Sequence, residues 1–273
     1  MFLDLSVCWD AARAPASVDL ALRFEYAGIA HNVTLSGAQV LSVQAHKCPV
    51  APCRLPGQSE RGGPLRGSLA AELGMGAEHG TLLQLRRLTL VVSDAAQLQA
   101  VSRAAQLRPP YDLLAVRPLT EESFQLACER GECDLISLRL DERLPFPLRR
   151  ATVASFLSRG GFFEIEFAPA LRDPGRRRQL IAGAEQLLHA TRGKNIIITS
   201  GARDPMEMRS PHDLANFAAV LGLRGELALR SVADAPRRAL QRAALRRGWA
   251  QPAPGPEPGA LGGEPADAEM ADV

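Results

Sequence analysis

An α/β barrel with parallel strands is the fold class this sequence predicts, and three observations carry it. Short apolar runs alternate with helical patterns over residues 1–248, separated by brief joints. That alternation is the βαβ pattern of a parallel sheet with right-handed crossovers. At 273 residues, with 46% hydrophobic side chains, the chain can fill one barrel, which typically takes about 250 residues as a single domain. A doubly wound open sheet is the alternative arrangement of the same units, and no Gly-rich dinucleotide or phosphate-loop fingerprint is present to decide between them.

The elements follow in order. Phe2 to Val7 (FLDLSV) predicts a first strand, Ser17 to Gly28 a helix, and Ile29 to Leu35 a second strand. Cys48 to Gly80 is rich in Pro and Gly and reads as a long surface insertion. Leu85 to Ser93 restarts as a strand, Asp94 to Leu107 is a helix stopped by Pro109-Pro110, and Tyr111 to Val116 is a strand. Thr120 caps a helix that Gly131 closes, and Cys133 to Leu138 is the next strand. Prolines keep Leu144 to Arg150 extended before a short helix to Arg159. Phe162 to Phe167 (FFEIEF) predicts a strand whose acids sit outward or at its end, and Pro174 opens a helix to Thr191.

Gly193 is placed to end that helix in a left-handed conformation, where the lack of a Cβ removes the steric cost. Asn195 to Thr199 is a β-branched run, hence a buried strand. Ser210 then caps a helix with Pro211 at its first position and Asp213 near its positive end. Between them lies the polar loop Ser200 to Arg209. After Gly225 comes arginine-rich helical sequence, expected to break or kink at Pro236. Residues 249–273 mix Pro, Gly, Ala and acids and predict a disordered tail beyond a 1–248 barrel.

Charge is uneven. The formal total is +2, but from Trp249 onward there are five acids and no Lys or Arg, so residues 1–248 carry +7. A basic body permits a polyanionic partner. Five cysteines and no secretory leader pattern predict a reducing compartment, and no apolar run is long enough for a bilayer. The pairs Cys48/Cys53 and Cys128/Cys133 lack zinc-knuckle spacing, and Cys128 and Cys133 read as core thiols.

Two chemistries compete. Asp4, Glu164, Glu166 and Asp204 could meet at one rim as a metal-dependent phosphoesterase, although no histidine joins them and solvated or capping acids are the commoner outcome. Alternatively the cations Arg117, Arg139, Arg143, Arg172, Arg176, Arg177, Arg178, Arg192, Lys194, Arg203 and Arg209 could neutralise phosphates. With aromatics at 5%, base stacking is a poor main mode, so the expected target is the shape and backbone of folded RNA. For any one arginine a solvated or ion-paired surface role is about as common.

The ordered segments FLDLSV, RRLTLVVSD, YDLLAVRP, CDLISLRLDERLPFPLRR, GFFEIEFAPALRD, GKNIIITSGA and, most specifically, P-x-E-x-RSPHDLANFAAVLGL resemble the barrel-shaped protein subunit of nuclear ribonuclease P and RNase MRP. The resemblance covers about residues 1–248. That family is similar to polymerase/histidinol-phosphatase barrels, which carry D-x-H-x-H after the first strand. Here the matching stretch is Asp4-Leu5-Ser6-Val7-Cys8, with Ser6 and Cys8 where the histidines would stand.

The resemblance implies no catalytic residue and no protein-bound metal or cofactor. It implies a scaffold in a particle whose RNA, with Mg²⁺, removes the 5′ leader of precursor tRNA and processes precursor rRNA. It further implies other ribonuclease P proteins as partners, among them a small ferredoxin-like subunit, no membrane, and a nuclear and nucleolar location. The candidate RNA contacts are Arg209 and Asp213 first, then Arg203, Lys194, Arg176, Arg177 and Arg178, then Arg117 and Arg139. Asp213 is expected to orient Arg209 or to accept from a ribose 2′-OH.

Overall fold

The computed structural model describes residues 1–51, 53, 82–106 and 111–247; most of the expected 48–80 insertion and the 249–273 tail lie outside them. Seven parallel strands form one sheet in sequence order: β1 (Leu3–Cys8), β2 (Gly28–Leu35), β3 (Leu83–Val92), β4 (Leu113–Pro118), β5 (Leu135–Ser137), β6 (Phe162–Glu166) and β7 (Ile196–Thr199). The helices are α1 (Ala14–Arg23), α2 (Ala38–Leu41), α3 (Ala95–Gln106), α4 (Glu121–Arg130), α5 (Arg150–Ser158), α6 (Pro169–Arg172), α7 (Pro174–Thr191), α8 (Pro211–Val220), α9 (Glu226–Val232) and α10 (Asp234–Arg246). The sheet curls until β1 meets the segment after β7, which makes a nearly closed barrel rather than an open sheet.

Strand alternation sorts the side chains into two shells. One set faces the helices: Leu88, Leu90, Val116, Ile136, Phe163, Ile165, Ile196 and Ile198 join α3, α4, α5, α7 and α8 in the main core. The other set faces inward. Leu3, Leu83, Leu113, Leu135 and Phe162 are the first residues of their strands, and all lie in one cluster with Ala235, Ala239, Leu240, Ala243 and Ala244 of α10. Helix α10 therefore closes the N-terminal mouth of the barrel, and its alanines let the backbone approach closely. Gly28 belongs to the same layer: a Cβ there would sit 2.9 Å from Leu83 and 3.0 Å from Leu3. The carboxylate of Asp134, fully buried, pins α10 by accepting from Arg246 at 2.7 and 3.0 Å, and it also accepts from the Leu114 backbone N–H at 2.9 Å.

Several expectations hold. Thr120 caps α4, in a capping box with Ser123, Pro174 opens α7, and Ser210 caps α8 with Pro211 at the first position. Others need correction. Gly193 is left-handed as expected (φ 68°), but Arg192 before it is left-handed already (φ 56°), so α7 ends one residue earlier. Pro236 neither breaks nor kinks a helix. The break falls at Ala233, and Pro236 sits in the first turn of α10, where its missing N–H has no intrahelical partner to lose. The short helices α2 and α6, and 3₁₀ turns at Val43–Ala45 and Pro205–Glu207, are too brief to leave a periodic signal.

Candidate functional site

Moving two residues up each strand from the apolar layers, the barrel interior turns polar. Leu85 is followed by Arg87 and Thr89, Ala30 by Asn32, Leu135 by Ser137, Phe162 by Glu164 and Glu166, and Ile197 by Thr199. Arg87 and Glu164 are both fully buried and form a forked ion pair, Nη1–Oε1 2.5 Å and Nη2–Oε2 2.6 Å. The remaining valences are taken up. Arg87 also donates to the Leu5 carbonyl (2.8 Å) and to Thr89 Oγ1 (3.2 Å), Thr89 donates to Asn32 (2.7 Å), and Thr199 donates to Glu164 (3.0 Å). Burial pushes the Glu164 carboxyl up, yet Arg87 wins and holds it below the usual carboxylate range.

One layer above, Arg117 donates to Glu166 and to Ser137, each at 2.9 Å, and Ser6 Oγ donates to Glu166 at 3.2 Å. A register shift between Asp4 and Val7 accounts for Ser6. The bulge turns Ser6 inward beside Leu5 and aims Asp4 at the gap between β1 and β7. There the Asp4 carboxylate accepts from the backbone N–H of Ser200 and of Ser6, both at 3.1 Å, while its second oxygen has no partner among the described residues. Burial raises its pKa to about 6. A single parallel bridge, Val7 with Ala202, completes the seam.

The four acids proposed for metal-assisted hydrolysis do not converge. Glu164 is neither outward nor at a strand end but locked to Arg87, Asp4 closes the seam, Glu166 is held by Arg117, and Asp204 caps the 3₁₀ turn by accepting from Met206 N–H at 3.0 Å. Among the described residues no group of three His, Cys, Asp or Glu is placed to hold a metal ion. The residues present therefore do not fit a hydrolytic metal centre. Cys128 and Cys133 are buried free thiols, as expected.

The candidate phosphate contacts divide among three places. Arg117, Arg139, Arg176, Arg177, Arg178 and Arg203 follow or end strands and belong to the rim at the strand C-termini. Most are already engaged: Arg117 by Glu166, Arg139 by Glu142, Arg176 by Asp141 at 2.7 Å, and Arg177 by the Ala170 carbonyl at 2.8 Å. Arg172 forks onto Glu207 at 2.6 and 2.7 Å. Arg178 and Arg203 are exposed, with no side-chain partner among the described residues.

Arg209 lies elsewhere. The loop leaves the rim at Ala202, buries Met208 against Val7, Val18, Tyr26 and Ile29, and passes under the Tyr26 hydroxyl, which donates to the Arg209 carbonyl at 2.9 Å. The Arg209 guanidinium donates to the carbonyls of Met206 and Met208 at 2.9 and 2.8 Å. Asp213 accepts instead from Ser210 Oγ at 2.8 Å, so the expected Arg209–Asp213 pair does not form. Lys194 is a further correction. It lies two residues before the first residue of β7, so in a parallel barrel it is at the opposite end from the rim. The Arg87–Glu164 pair carries no motif; its one signal in the sequence is the alternation Leu83, Leu85, Arg87, Thr89, which sets Arg87 on the inward face of β3.

The fold and this interior define a class: a parallel α/β barrel whose strand-end cavity is filled by its own ion pair and hydroxyls, with cations outside it. The chain belongs to the RNase P subunit p30 family, whose model matches residues 1–248. It is 36% identical over 217 residues to Protein GAMETOPHYTE DEFECTIVE 1 of Arabidopsis thaliana, covering 76% of this chain and 36% of that protein. It is 38% identical over 139 residues to Ribonuclease P protein subunit p30 of Mus musculus, covering 51% and 52%. The matched stretch thus spans about a third to a half of these relatives. A chain in the cryo-EM structure of archaeal Ribonuclease P with mature tRNA shares the fold, with a TM-score of 0.59 at 12% identity over 87% of this chain and 89% of that one.

Proposed function

We propose that this chain is a non-catalytic, RNA-binding scaffold subunit of ribonuclease P, acting in removal of the 5′ leader of precursor tRNA. The observation that carries the reading is the family match from residue 1 to residue 248. The barrel interior agrees with it, because the buried Arg87 and Glu164 are spent on each other. A relative named Ribonuclease P/MRP protein subunit RPP1 in Saccharomyces cerevisiae, 29% identical over 54% of this chain and 50% of that protein, supports a second role in RNase MRP and precursor rRNA processing.

In this reading the partner RNA and its Mg²⁺ ions cut the phosphodiester, the protein binds no cofactor, and precursor tRNA is met indirectly. A small ferredoxin-like subunit and other ribonuclease P proteins are its protein partners, and the nucleus and nucleolus are its location. Exposed cations supply the grip, so binding should weaken steeply with salt. Affinity purification of the full chain from cells, followed by RNA sequencing and a cleavage assay, tests it. The expected eluate contains one or two abundant structured RNAs and trims the 5′ leader of precursor tRNA. Chain recovered in quantity with no enriched RNA would contradict it.

A further inference from the structure

We infer that Arg192, Lys194 and Arg224 form a second contact for the phosphate backbone of folded RNA, on the end of the barrel opposite the strand-end rim. The inference rests on the scaffold reading above and adds a surface to it. The three cations belong to two adjacent turns. Gly193 packs beside Leu223, so that a Cβ on it would lie 3.2 Å from Leu223 Cδ2, and a Cβ on Gly222 would lie 3.8 Å from Leu188 near the end of α7. The turn after α7 and the turn after α8 are therefore neighbours, and Arg192, Lys194 and Arg224 emerge from them exposed.

None of the three has a hydrogen-bond or ion-pair partner for its side chain among the described residues. The acid that follows, Glu226, is already taken by Arg230 at 2.8 Å. On the rim Arg178 and Arg203 are as free among the described residues, while Arg117, Arg139, Arg172 and Arg176 all face carboxylates. Phosphates gain most from cations that need not first abandon a partner. Arg192 also holds a left-handed helix end (φ 56°), a position that glycine fills more easily. Among the described residues no exposed aromatic accompanies the cations, so a phosphate backbone fits this surface better than a stacked base. An acidic protein surface is the competing occupant.

The test is the full-length variant Arg192→Gly/Lys194→Gln/Arg224→Gln, titrated with folded ribonuclease P RNA over a range of KCl concentrations. Arg192→Gly removes the charge while easing the backbone, so the thermal midpoint should stay near that of the wild type. The expected result is a loss of about tenfold or more in affinity at low salt, and a slope of log K against log[salt] shallower by about 2. If the triple variant melts well below the wild type, Lys194→Gln alone is read, with a slope shallower by somewhat under 1 expected. An unchanged slope and affinity would overturn the inference. So would unchanged RNA binding combined with lost assembly with the protein subunits, which would assign the surface to an acidic protein. A wild-type chain that binds none of this RNA would overturn the scaffold reading itself, so the two failures are distinguishable.

Discussion

Arg87→Met is expected to cost about 3–5 kcal/mol of folding stability, because it strands the fully buried Glu164 carboxylate in the barrel without its counter-charge. Thr199 would remain as a donor to Glu164, but one hydroxyl does not replace two guanidinium bonds. The pH dependence should invert. In the wild type the folded Glu164 pKa lies below its unfolded value, so its stabilisation is present above the unfolded pKa and is lost as pH falls through the folded one. In Arg87→Met the desolvated carboxyl prefers its proton, so the variant should be closer to wild-type stability at pH 4 than at pH 7. Urea unfolding at both values reads this directly. The double variant Arg87→Met/Glu164→Leu should recover much of the loss, since an apolar pair of similar volume removes the buried charge.

Asp4→Asn should act in the opposite pH direction. Burial raises the folded Asp4 pKa to about 6, above its unfolded value, so the fold favours the protonated acid. The stability from that proton is fully present below the unfolded pKa and is lost as pH rises through about 6. Asparagine keeps an oxygen for the Ser6 and Ser200 N–H groups and carries no charge at any pH. Relative to the wild type, Asp4→Asn should therefore gain on the order of 2–3 kcal/mol between pH 4 and pH 7. A pH-independent difference between the two proteins would show that the seam carboxylate titrates normally.

The fold was legible because its signals are local. Runs such as Ile196–Thr199 and caps such as Thr120 and Ser210 declare themselves within a few residues. Pro236 misled because proline is tolerated in a first helical turn, and where that turn begins depends on the Ala233 break, which leaves no mark in composition. The site was legible as residue types but not as places. Lys194 and Arg203 are nine positions apart in sequence, yet they stand before and after one parallel strand and so at opposite ends of the barrel. Arg209 and Asp213 have the spacing of a helical ion pair, but Arg209 precedes the Ser210 cap and turns back to the carbonyls of its own loop. The interior pair Arg87–Glu164 joins strands 77 residues apart, and only the closure of the sheet brings them together.

The most direct measurement is a cleavage assay on the full chain, purified free of nucleic acid, with precursor tRNA and Mg²⁺, Mn²⁺ or Zn²⁺, before and after adding ribonuclease P RNA with the other subunits. The expected result is no cleavage by the protein alone with any of the three metals, and accurate removal of the 5′ leader once the RNA and subunits are present. Metal-dependent cleavage by the protein alone, abolished by Glu164→Gln, would contradict the view that this barrel braces an RNA catalyst rather than being one.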